Sequence, residues 1–175
     1  MRSCYLGNVG LPAQNGNTSI GAAPQVLDRY LRTLPLARLE WPYAQPGNDV
    51  RDFTLFVAAD YSKLEPQIIS RFFRRAFSRG AVFACLWGPG CESAGEIARL
   101  RAALYETAQA TEDFLRVSTH AGEPLEEALF YAVYCGFPTD GLVASCGDVV
   151  AAAAGDEAWA RRIDLWVSAR LSPGP

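Results

Sequence analysis

Two near-continuous apolar runs of strand length, FTLFVAAD at 53–60 and AVFACLWG at 81–88, constrain this chain more than any other feature. A strand without polar alternation must be covered on both faces, as the strands of a parallel sheet are. Between the runs, Ile68, Ile69, Phe72, Phe73, Ala76 and Phe77 recur at helical spacing, with Pro66 in the first turn and Gly80 as the stop. The pattern then repeats. Ile97, Leu100, Leu104 and Ala108 predict a helix over 91–109, FLRVSTH a strand over 114–120, and PLEEALFYAVYCGF a helix over 124–137. VVAAAAG at 149–155 reads as the fourth strand, with LVASC at 142–146 as a competitor. Asp156 reads as the N-cap of a last helix that carries Trp159, Ile163, Leu165 and Trp166. Four alternations of strand and helix predict a three-layer α/β fold, a Rossmann-like or flavodoxin-like open sheet of about four mostly parallel strands with helices on both faces.

The N-terminal part lacks this signal. Residues 1–21 are rich in Gly, Asn and Ser and read as an arm, whereas Val26, Leu27, Tyr30, Leu31 and Leu34 behind Pro24 predict a short helix over 24–34. The expected organisation is an arm, helix and connection over 1–50, then one α/β domain over 51–172. A chain of 175 residues with 50% hydrophobic content supports one sizeable core.

A formal charge of −3 and a pI near 5.2 argue against general binding to nucleic acid or to an anionic membrane, since both need surplus Lys and Arg. Five cysteines without a CxxC pair fit reduced thiols in a bacterial cytoplasm. No apolar run approaches the roughly 20 residues of a membrane span.

In an open parallel sheet, ligands gather beyond the carboxyl ends of the strands. The candidates there are Asp60, Tyr61 and Ser62; Trp87 to Glu92; Ser118, Thr119 and His120; and Gly155 with Asp156. In LWGPGCES, at 86–93, the Gly88-Pro89-Gly90 turn could aim backbone N–H groups and a helix N-terminus at a small anionic ligand. The same field would lower the pKa of Cys91 and make it a nucleophile, with His120 as base and Asp60 as orienter. Trp87, Gly88, Gly90, Glu92, Ser62 and Thr119 are the expected ligand-binding set. A plain corner with a buried cysteine is the competing reading. Arg71, Arg74 and Arg75, with Arg79, form a basic stripe opposite the apolar side of their helix, read as a solvated face or half of a protein interface.

No GxGxxG follows the first apolar strand, and no P-loop and no GxSxG elbow occurs. One histidine and scattered cysteines predict no zinc set, and no cofactor is expected. The run TLFVAADYSKLEP, then VFACLWGPGCE, then THAGEPLEEALFYAVYCGFP resembles a family of small bacterial domains of unknown function over about 53–137. That resemblance implies an α/β fold and a bacterial cytosolic origin, and assigns no catalytic residue and no ligand.

Two functions compete at this point. The leading expectation is a non-catalytic module, immunity-like or antitoxin-like, that binds a partner protein. The alternative is a small-molecule sensor or cysteine-dependent enzyme that uses the strand-end crevice.

Overall fold

In a computed structural model the chain forms one six-stranded sheet with helices on both faces. The structure describes residues 2–8, 28–36, 52–109, 115–136, 146 and 148–171. The strands are β1 (Arg2–Asn8), β2 (Asp28–Leu36), β3 (Phe53–Ala59), β4 (Ala81–Trp87), β5 (Arg116–His120) and β6 (Asp148–Ala154). Among the described residues the helices are α1 (Pro66–Phe77), α2 (Cys91–Gln109), α3 (Leu125–Tyr134) and α4 (Glu157–Leu171).

The sheet order is β1-β2-β6-β3-β4-β5. Strands β2, β6, β3, β4 and β5 run parallel, and β1 closes one edge antiparallel to β2. Alternation along the strands divides the core in two. Leu55, Val57, Ala84, Leu86 and Val150 face α1 and α2, while Phe56, Ala58, Phe83, Cys85, Val149 and Ala151 face α3 and α4. Both faces of β3 are sealed, which is why its sequence carries no polar alternation. α1 adds Phe72, Phe73 and Phe77, all buried, with Phe72 and Phe73 edge to face at 5.2 Å. Each such ring stabilises the fold by roughly 1.5–3 kcal/mol through burial.

The predicted helix over 24–34 is corrected. Its residues from Asp28 onward form β2, paired with β6 from Tyr30↔Asp148 to Leu36↔Ala154; residues 24–27 lie outside the described part. Tyr30, Leu31 and Leu34 fit a helical stripe, but so short a window does not separate helix from strand, and two flanking strands decide it. Pro35, which cannot donate to a ladder, stands past the end of β1, whose pairing stops at Arg2↔Thr33. The residues 2–8 expected as an arm form β1. The competing strand at 142–146 lies outside the described residues apart from Cys146. At α4, Asp156 caps as its sequence suggests, Oδ1 accepting from the Ala158 N–H at 2.7 Å.

Strands β3, β4 and β5 are laid down in one direction across the sheet, and β6 returns to the other side of β3. The loops after β3, β4, β5 and β6 therefore meet along one sheet edge. Among the described residues no helix is long and apolar enough to cross a membrane.

Candidate functional site

The Gly88-Pro89-Gly90 turn is built against the loop after β3. The Pro89 carbonyl accepts from the N–H groups of Tyr61 (2.8 Å) and Ser62 (3.2 Å), and the Cys91 N–H donates to the Gly88 carbonyl at 3.1 Å. Gly88 and Gly90 have φ of 116° and 74°. A Cβ on Gly88 would stand 2.3 Å from the Ala59 carbonyl oxygen, and one on Gly90 2.8 Å from the Ser62 nitrogen. Backbone meets backbone here, so only glycine fits. The N–H groups of Tyr61 and Ser62 are satisfied internally, and Tyr61 turns inward, its buried hydroxyl donating to the Val57 carbonyl at 3.1 Å.

The structure does not bring Cys91, His120 and Asp60 together. Cys91 is fully buried in the core between the sheet and α1 and α2. Burial pushes its thiol pKa up, and the His120 backbone N–H beside the sulfur opposes only part of that rise. The expected lowering by the helix terminus is overridden because a desolvated thiolate costs more than the dipole returns. The His120 ring lies on the other face of β5, 4.7 Å centroid to centroid from Tyr131 of α3. Asp60 is engaged locally, with the Lys63 ammonium at 2.7 Å and the Ser62 hydroxyl donating to it. Lys63 first, then Ser62, holds its carboxyl below the usual range.

What does converge is a different set. His120 is 6% exposed and both ring nitrogens are engaged: Nδ1 lies 2.9 Å from Glu123 Oε2, and Nε2 lies 3.0 Å from Ser118 Oγ. A neutral ring with its proton on Nδ1 would donate to the Glu123 carboxylate and accept from the Ser118 hydroxyl at Nε2. The connectivity is hydroxyl, imidazole, carboxylate, the order in which a serine is activated for acyl transfer. Local structure builds it. Ser118 and His120 are two apart on β5 and share a face, and the turn through Gly122, at φ 75°, swings Glu123 back toward the ring. Trp87 fixes that turn, its Nε1–H donating to the Glu123 carbonyl at 2.7 Å, and its indole stands edge to face on Trp159 at 5.4 Å.

The remaining predicted residues have separate places. Thr119 faces α2, against Gly95, and Glu92 is exposed in the first turn of α2. Arg71 and Arg74 are exposed on α1, and Arg75 is half-buried. Among the described residues no three His, Cys, Asp or Glu side chains are grouped to hold a metal ion. Ser118 stands among the strand-end candidates of the sequence, whereas Glu123, three residues beyond His120, does not. The signal that finds them is the spacing S-x-H-x-x-E across a strand end, since residues i and i+2 of a strand lie side by side.

A family model described as a domain of unknown function, DUF7684, matches residues 30–169, and the chain belongs to that family. No curated protein and no solved structure matches it.

Proposed function

We propose that this member of the DUF7684 family is a serine-dependent acyl hydrolase centred on Ser118, His120 and Glu123. The observation that carries the reading is the pair of hydrogen bonds, 3.0 Å and 2.9 Å, that place His120 between a hydroxyl and a carboxylate in the sense acyl transfer needs. In the reaction, Ser118 Oγ bonds to the acyl carbon while its proton passes to His120 Nε2. The imidazolium, steadied by Glu123 at Nδ1, protonates the departing alcohol as the ester C–O bond breaks. Water, deprotonated by the same nitrogen, then releases the acid and restores the serine. Ser118 and His120 are the catalytic residues, and Glu123 is a positioning residue. Strand β5 is an edge that pairs with β4 alone among the described strands, so alternate N–H groups face away from the ladder, where an oxyanion can be met. The expected setting is cytoplasmic, in keeping with five cysteines that form no CxxC pair.

A fluorophosphonate probe tests the reading. It should add its mass to the peptide that contains Ser118, leave Ser118→Ala unlabelled, and label His120→Gln at least ~100-fold more slowly. Labelling of Ser118→Ala, or of His120→Gln at the parent rate, would refute it.

A second reading, an immunity-like or antitoxin-like module that binds a partner protein, draws support from Phe130 and Leu165, 47% and 70% exposed on α3 and α4. Phe130 stacks on Tyr134 at 4.6 Å, and Glu126 with Arg162 ties the two helices. Co-purification from the native host under mild conditions tests it. Leu165→Glu should lose the partner, and recovery of the parent chain alone as a monomer counts against it.

A further inference from the structure

We infer that the substrate of this centre is an ester whose acyl chain ends in a carboxylate, which Arg116 holds; the inference rests on the serine-dependent reading above.

The pleat of β5 sets the geometry. Arg116, Ser118 and His120 alternate with Val117 and Thr119, so the three lie in a row on the face toward α3. Their partners across the ladder, Phe83, Cys85 and Trp87, pack on that same side. α3 packs mainly on β3, β4 and β6 and meets β5 where Tyr131 lies against His120, while Arg116 at the other end of the row is exposed. Along the row, exposure falls from Arg116, exposed, through Ser118, half-buried, to His120, buried. The row is therefore a shelf with one end in solvent and the base at the closed end.

Charge gives the shelf a direction. The Glu123 carboxylate occupies the Nδ1 side of the ring, so a second anion at that end would meet repulsion. The opposite end carries the Arg116 guanidinium, which has no ion-pair or hydrogen-bond partner among the described residues. Its field reaches the shelf: burial raises the Tyr131 hydroxyl pKa, the nearby Cys85 and Cys135 thiols add to that rise, and Arg116 opposes it. A guanidinium presents paired N–H donors to a carboxylate, and no other described group on the shelf offers a cation.

Orientation follows from the proton path. The leaving alcohol must lie beside His120 Nε2, which donates to it, so the acyl chain extends the other way, toward Arg116. Two residues along a strand advance about 6.6 Å. An acyl chain of about six carbons spans that separation with the Arg116 side chain in reach of its end. The balanced step is hydrolysis: the serine–acyl bond forms as the ester bond breaks, water cleaves the acyl-serine, and a dicarboxylate and an alcohol are released.

The test compares mono-4-nitrophenyl adipate with 4-nitrophenyl hexanoate, which share leaving group and chain length and differ in the terminal charge. Arg116→Gln should lose about tenfold in kcat/KM on the adipate ester and leave the hexanoate ester unchanged, since one charge-assisted contact is removed. Arg116→Lys should recover part of the loss. Ser118→Ala should abolish turnover of both. If Arg116→Gln slows both esters equally, or neither, the carboxylate inference is overturned while the serine reading stands. If Ser118→Ala keeps the parent rates, or the parent turns over neither ester above the buffer blank, the serine reading and the inference fall together. Arg116 is exposed, so its variants leave the core intact, and near-ultraviolet circular dichroism checks this.

Discussion

Gly88→Ala puts the corner between β3 and β4 under direct test. Two costs add. At φ 116° an L-residue sits in a region it rarely adopts, a cost of about 1–3 kcal/mol. The new methyl would also lie 2.3 Å from the Ala59 carbonyl oxygen, which ends a fully buried strand and cannot swing aside. Overpacking of that kind costs a further ~1–3 kcal/mol. The expected total is about 4 kcal/mol, a large part of the ~5–15 kcal/mol that holds a domain folded. Gly122→Ala is the control, because Gly122 has φ 75° and nothing within 4 Å of the added Cβ. It should cost only about 1–2 kcal/mol. The alanine's smaller unfolded-state entropy favours both variants alike and cancels in the comparison. Urea titration reads the difference: Gly88→Ala should lower the midpoint well below that of Gly122→Ala at an unchanged slope, with a Tm drop of about 10 °C. If the two variants fall within about 1 kcal/mol of each other, the close approach of Gly88 to Ala59 is not what makes the corner rigid.

Further outcomes follow from other contacts. A thiol alkylator at neutral pH should modify exposed Cys135 before buried Cys85, Cys91 and Cys146, and mass spectrometry of tryptic peptides reads the order; fast labelling of Cys91 would contradict its raised pKa. Arg162 holds the Glu126 carboxyl below its ordinary range, so the pair's contribution is present above about pH 4.3 and is lost as pH falls through the lower folded value. Both side chains are over 40% exposed, and Glu126→Gln should therefore cost at most about 1 kcal/mol at pH 7 and nothing near pH 2, read by urea midpoints. Thr54 is fully buried and donates to the Gly136 carbonyl at 2.9 Å, so Thr54→Val should cost about 1–2 kcal/mol while Thr54→Ser costs less, by the same titration.

The sequence carries the fold where burial is total. β3, β4 and β6 are runs of apolar residues because both faces are covered, and the Phe-rich side of α1 repeats at helical spacing because one sheet face receives it. β2 is illegible because its order comes from neighbours: DRYLRTLPL satisfies a helical stripe as well as a strand, and only pairing with β6 and β1 separates them. The site divides in the same way. The place of His120 at the end of β5 follows from the alternation of elements, whereas its partners depend on side-chain direction. A local pleat selects Ser118 and a glycine turn selects Glu123, and the more conspicuous Cys91 points through the opposite face.

The place of β6 sets the order in which this sheet can be assembled during synthesis. β3, β4 and β5 are neighbours in both sequence and sheet, so that half can pair as it leaves the ribosome. β1 and β2 can likewise meet early, yet among the described strands they join the other half through β6, which follows β5 in the chain, and α4, made after β6, then packs on both of them. Until residues 148–154 arrive, the β6-facing edges of β2 and β3 are both open parallel edges, each a template for another chain. Nascent chains stalled before residue 148 should therefore depend on chaperones, and the pairing that closes the sheet should come late and slowly.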